Sequence, residues 1–120
     1  MIVYACADLM FASKVSATCN AAGIVSRPAR SAAMLQARLD CVDDGKANGV
    51  VTQVFVELTR DDALELISFA NTHATRADVR IVAFGPHVDT DRLAAAKEHG
   101  ADEVLTRGAF AAQVDALVKP

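Results

Sequence analysis

Short apolar runs alternate with longer segments of helical period along the whole chain, and this alternation restricts the fold more than any other feature. Ile2-Val3-Tyr4-Ala5-Cys6 has the length and composition of a strand covered on both faces. From Leu9 to Ala22 the period changes. Phe11, Val15, Cys19 and Ala22 form one helical stripe, and Gly23 stands where a left-handed cap ends a helix. Ile24–Arg27 reads as a second strand, stopped by Pro28. Ser31 is placed to cap a second helix whose apolar side is Met34, Leu35, Ala37, Leu39 and Val42. Asp43-Asp44-Gly45 and Asn48-Gly49 carry turn chemistry, and the stretch from there to the next strand reads as loop.

Val50-Val51 and Val54–Leu58 give the strongest strand signal. Thr59 with Asp62 three residues on resembles a capping box for a third helix, with Ala63, Leu64, Leu66, Ile67 and Ala70 on its apolar face. Val79–Phe84 is a fourth strand closed by Gly85-Pro86. Asp89 or Thr90 then opens a fourth helix through Leu93, Ala94 and Ala96 to His99, with Gly100 as its stop. Glu103–Leu105 is a short fifth strand. The last helix runs from Phe110 to Lys119, with Phe110, Val114, Leu117 and Val118 inward.

Five alternations of strand and helix imply a parallel sheet with helices on both faces, because each crossover is right-handed. The expected fold class is therefore α/β, a single doubly wound five-stranded sheet, with residues 1–120 as one domain. Such sheets bind ligands beyond the carboxyl ends of their strands, where strand order reverses. Those ends are Ala7-Asp8, Glu57-Leu58, Gly85-Pro86 and Thr106-Arg107, and polar groups gather there while the strand bodies are apolar.

Charge and composition exclude several functions. Twelve basic and 15 acidic residues give a net charge of −3, and Lys and Arg are scattered singly, which argues against a nucleic-acid surface. Cys6, Cys19 and Cys41 lack metal-ligand spacing and read as reduced, buried small hydrophobes. Neither a basic-then-apolar leader nor a run long enough to span a membrane is visible, so the expected location is cytoplasmic. Phosphate-cradling glycine loops, an FMN-type hydroxyl cluster after the first strand and a GxSxG elbow are all missing, so neither a cofactor nor an enzymatic activity is expected. His73 and His99 fall near helix C-termini, where a partly positive ring is favoured, while His87 falls in the loop after the fourth strand, near the crevice.

Gly100-Ala101-Asp102-Glu103-Val104-Leu105-Thr106-Arg107-Gly108-Ala109-Phe110 resembles the segment leading into the fifth strand and last helix of response-regulator receiver domains. Val54–Leu58 is similar to that family's third strand, and the likeness extends over essentially the whole chain. The resemblance implies a flavodoxin-like fold with strand order 2-1-3-4-5. It also places Glu57 at the phosphoacceptor position, Gly85 where the family has a hydroxyl residue, Arg107 in place of its Lys, Gly108 in place of its Pro and Val104 at its aromatic switch. The family's acidic pair would fall on Cys6-Ala7, and only Asp8, one position on, is acidic.

Asp8 and Glu57 are a thin oxygen set for Mg²⁺, so no metal is expected. Asp8 reads as a helix N-cap ahead of a metal ligand. Glu57 and Arg107 either pair across the crevice or are separately solvated at the strand ends. A Glu at the acceptor position is read in this family as a standing imitation of the phosphorylated state. The resemblance thus implies a non-catalytic pseudo-receiver acting on a protein partner, or as a homodimer, through the face made by the fourth helix, fifth strand and fifth helix. That face includes Leu93–Ala96 and the surface of the last helix. The alternatives are an atypical phosphate-accepting receiver and a flavodoxin-like small-molecule-binding domain.

Overall fold

The central strand explains the layering. In β5 (Gln53–Glu57) the residues Val54, Phe55, Val56 and Glu57 are all fully buried, so both faces of the sheet are covered. Successive side chains point to opposite faces. Val54 and Val56 join a core with Leu35, Leu39, Leu66 and Ile67, while Phe55 joins a second core with Val15, Cys19, Phe110 and Val114. Glu57 has the parity of Phe55. The computed structural model describes residues 1–43, 46–47 and 49–119.

Around β5 the elements run β1 (Ile2–Ala5), α1 (Leu9–Ala21), β2 (Ser26–Pro28), α2 (Ala32–Leu39), a small hairpin of β3 (Val42–Asp43) and β4 (Lys46–Ala47), then α3 (Ala63–Thr72), a 3₁₀ turn (Arg76–Asp78), β6 (Arg80–Gly85), α4 (Thr90–His99), β7 (Glu103–Thr106) and α5 (Arg107–Val118). The main sheet is parallel in the order β2-β1-β5-β6-β7. Counting its five strands alone, this is the expected 2-1-3-4-5. The α1 and α5 stripes cover one face, and α2, α3 and α4 cover the other. Strand order reverses between β1 and β5, so the crevice opens where Ala7-Asp8 faces Glu57. No helix among the described residues is long and apolar enough to cross a membrane.

Several boundaries differ from the sequence reading. Pro28 does not stop β2 but lies within it, paired with Tyr4. The strand is at the sheet's edge, where a missing N–H breaks no ladder bond, and the Pro28 carbonyl accepts from Nε and Nη2 of Arg38. Helix α2 ends at Leu39 rather than reaching Val42. Cys41 turns the chain with φ 61°, and Val42–Asp43 pairs antiparallel with Lys46–Ala47, while residues 49–52 before β5 have no regular structure, as the loop reading expects. The turn residues Asp44, Gly45 and Asn48 lie outside the described residues. Val50-Val51 precede β5 instead of opening it. Helix α5 starts three residues early, at Arg107, because the Thr106 hydroxyl accepts from the Ala109 amide at 3.2 Å. Thr59 does not cap α3, whose N-cap is Asp62 without a side-chain bond. Gly23 and Gly100 both take the left-handed conformation expected of helix stops, at φ 73° and 118°.

Candidate functional site at the mouth of the sheet

Glu57 is the last residue of β5 and is 0% exposed. A buried carboxylate is tolerated only when its lone pairs are taken up. Here both oxygens are. Oε1 accepts from the backbone amides of Ala7 and Asp8, each at 2.9 Å. Oε2 accepts from the Thr59 hydroxyl at 2.9 Å and from Arg107 Nη2 at 3.3 Å. The two amides belong to the turn that joins β1 to α1, so the reversal of strand order itself presents them to β5. Thr59 reaches Oε2 from the turn that leaves β5, where the Arg60 amide donates back to the Glu57 carbonyl at 3.2 Å.

The Asp8 side chain is engaged by its own helix. Its Oδ1 accepts from the Met10 amide at 2.8 Å, closing the first turn of α1 as an N-cap. Arg107, the first residue of α5, is 41% exposed along its side chain. Its guanidinium lies 5.9 Å from the Phe11 ring centroid, above an aromatic floor in which Phe84 and Phe110 stack at 3.9 Å with planes 6° apart. The guanidinium touches Glu57 with one nitrogen only, and Nε is buried without a partner. Most of the donors that hold the carboxylate are therefore backbone amides and a hydroxyl, not the planar fork that the residue types alone suggest.

Gly85 ends β6 against Leu58. A Cβ built on Gly85 would lie 3.0 Å from Leu58 Cβ, so the position where the resemblance puts a hydroxyl is filled by an aliphatic side chain. Val104 is half-buried and packs against the core beneath α4. Cys6, at the position matched to an acidic residue, is half-buried. Burial first, and the Glu57 charge second, push its thiol up to about 12, against a smaller pull from Arg60. His87 is exposed in the loop after β6. His73 is remote from the mouth. It caps the end of α3, with Nε2 2.7 Å from Asp40 Oδ1 and Nδ1 2.9 Å from Thr75 Oγ1.

The residues present do not fit Mg²⁺. That ion needs several oxygen ligands in near-octahedral array. Each Glu57 oxygen already has two donors, one Asp8 oxygen is engaged by an amide, and the neighbouring positions are a thiol and a methyl group. Among the described residues no group of three or more His, Cys, Asp or Glu could hold a metal.

Sequence reasoning missed Thr59, the amides of Ala7 and Asp8, and a second layer of arginines. Arg60 makes a bidentate pair with Asp62 at 2.8 and 2.9 Å and donates to the Arg30 carbonyl, while Arg92 donates to the Arg60 carbonyl. The two-residue spacing from Glu57 was the available signal for Thr59. No signal in the chain marks an amide.

No protein-family model and no curated protein matches the chain. Solved structures do. The receiver domain of NtrX from Brucella abortus superposes with a TM-score of 0.74 at 16% identity, covering 98% of this chain and 93% of that one. The chain spans only 24% of the NtrX chain solved with ADP, at 16% identity, 97% coverage of this chain and a TM-score of 0.72. The phosphorylated cyanobacterial phytochrome response regulator RcpA gives 0.74 at 11% identity, covering 98% and 88%. HP1043, an orphan response regulator of H. pylori, gives 0.68 at 15% identity, covering 99% and 97%. The chain thus has the receiver fold of response regulators, at identities too low to carry a site across.

Proposed function

We propose that this chain is a receiver-like signalling module that acts by binding a protein partner and takes no phosphoryl group at Glu57. The enclosure of the Glu57 carboxylate carries this reading. Phosphoryl transfer to a carboxylate needs an oxygen free to attack in line, and catalysis of it needs charge neutralisation on the donor. Glu57 offers no free oxygen, and opening it would break several charge-assisted hydrogen bonds in a buried place. The same bonds tie the β1–α1 turn, β5 and the start of α5 together. The mouth is then held in one arrangement without metal or phosphate, as a standing signal that a partner reads.

The partner surface in this reading is the face of α4, β7 and α5. Exposed small residues there, Ala94 on α4 with Ala112 and Ala116 on α5, allow close approach of a second helix, while Ala96 of the same run is buried in the core. In the homodimeric form of this reading the partner is a second copy of this chain.

Incubation with acetyl phosphate and Mg²⁺ followed by intact-mass measurement tests the closed site. No mass increase is expected, and a phosphoryl adduct lost on Glu57→Gln substitution would overturn the reading. Light scattering over a concentration series tests the homodimer form, and Ala112→Arg with Ala116→Arg should abolish any dimer. A dimer untouched by both changes would remove α5 from the interface.

A further inference from the structure

A second feature lies on the other side of Cys6 from Glu57. Between the start of α1 and the loop that leaves β2 is a slot of about 130 Å³. That is close to the ~150 Å³ of apolar cavities that accept a benzene-sized molecule. Cys6, Leu9, Ala12 and Pro28 line it with apolar atoms beside Tyr4 and Ala29, and Arg30 and Arg60 also stand in its wall. Leu9 is 82% exposed, the largest exposure among the large hydrophobic residues of the described chain, and no core residue needs it there.

The two arginines differ. Arg60 is committed to both oxygens of Asp62 and to the Arg30 carbonyl. The Arg30 guanidinium makes no hydrogen bond or ion pair among the described residues. No acidic side chain lines the slot itself. The wider opening next to it shares Cys6, Arg30 and Arg60 with the slot and also carries Asp61 and Asp62, of which Asp62 is taken up by Arg60. An apolar recess beside an unpaired planar cation is complementary to an apolar side chain flanked by a carboxylate.

The geometry points to this slot as a docking site for an acidic segment of a partner protein, which seats one aliphatic side chain over Cys6 and gives an adjacent carboxylate to Arg30. The slot does not involve the α4–β7–α5 face, and the inference does not depend on how Glu57 is used.

The test is a titration of the full chain, labelled with ¹⁵N, with three capped tripeptides: acetyl-Glu-Leu-Glu-amide, its neutral Gln-Leu-Gln counterpart and its Glu-Gly-Glu counterpart. Saturable shifts at the amides of Cys6, Leu9, Ala12 and Arg30 are expected with the first. Binding should be about tenfold weaker for each of the others, the loss expected for one charge-assisted bond or one buried aliphatic side chain. Arg30→Gln, a surface change that leaves the fold intact, should weaken the first peptide to the level of the neutral one. Ala12→Met should block the slot. Absence of saturable shifts, equal binding of the neutral peptide, or binding indifferent to Arg30→Gln would each overturn the proposal. Hexanoate as a fourth probe separates a protein segment from a free fatty acid, since tighter binding of hexanoate than of any peptide would also overturn it.

Discussion

Replacing Arg107 by Ala asks whether the guanidinium or the backbone carries the buried charge of Glu57. The contact removed is a single one, Nη2 to Oε2 at 3.3 Å, longer than the roughly 2.7–2.9 Å of a strong charge-assisted bond. Arg107 is 41% exposed, so water screens the pair, and its value lies near that of exposed pairs, about 1 kcal/mol. The ring contact with Phe11, at 5.9 Å, lies at the outer limit of cation–π distances and adds ~0.5 kcal/mol. Against these, a cation in the first turn of α5 opposes the helix dipole, so its removal returns ~0.5 kcal/mol. The net loss is about 1 kcal/mol. With an unfolding entropy of ~2.1 cal/mol/K per residue, that lowers Tm by about 4 °C for a chain of this length. Glu57→Ala is a different perturbation. It leaves two amides, a hydroxyl and a guanidinium converging on no anion, and we expect a loss of at least about 3 kcal/mol. Urea denaturation of the three proteins measures both losses. Should Arg107→Ala cost about 3 kcal/mol or more, or Glu57→Ala no more than Arg107→Ala, the amide cradle is not what holds the carboxylate.

Other consequences are open to equally direct measurement. Gly85→Ser should lower stability by about 1 kcal/mol, because its Cβ meets Leu58 Cβ at 3.0 Å, and Leu58→Ala, which keeps that Cβ, should leave most of the cost of the serine in place in a double-mutant cycle. Cys6 should stay a thiol at pH 8 and react with iodoacetamide on the order of 100-fold more slowly than an ordinary exposed thiol. Its raised folded value means that its contribution to stability is present below pH 9.0 and is lost as pH rises toward about 12. Cys6→Ala should therefore flatten the alkaline decline of Tm. Burial pushes the Asp102 carboxyl up. Hydrogen bonds from Arg76 and the Ile81 amide, with the charges of Arg76 and Lys97, outweigh that and hold it below its ordinary value. Its stabilising contribution is thus present above about pH 4 and lost on further acidification, and Asp102→Asn should flatten the acid limb of a stability–pH curve.

The layering of this protein and the order of its elements were legible from local pattern, because burial on both faces leaves a strand no polar position and a helix one stripe. Val54–Phe55–Val56 and the Phe110, Val114, Leu117 stripe are determined by that requirement alone. So is the place of the candidate site, since a parallel sheet brings its strand ends together wherever its order reverses. Element ends were less legible. Pro28 is compatible with a strand only because β2 turned out to be an edge, and the end of α2 depends on the turn at Cys41. What only the tertiary structure decided is how Glu57 is used. Residue types offered a pair with Arg107 or separate solvation, whereas three of the carboxylate's four donors are the amides of Ala7 and Asp8 and the hydroxyl of Thr59. Every residue but proline carries an amide, so composition cannot mark the two that matter. They become a site only when β1 and β5 lie side by side and the turn after β1 points its N–H groups at a carboxylate about fifty positions further along the chain.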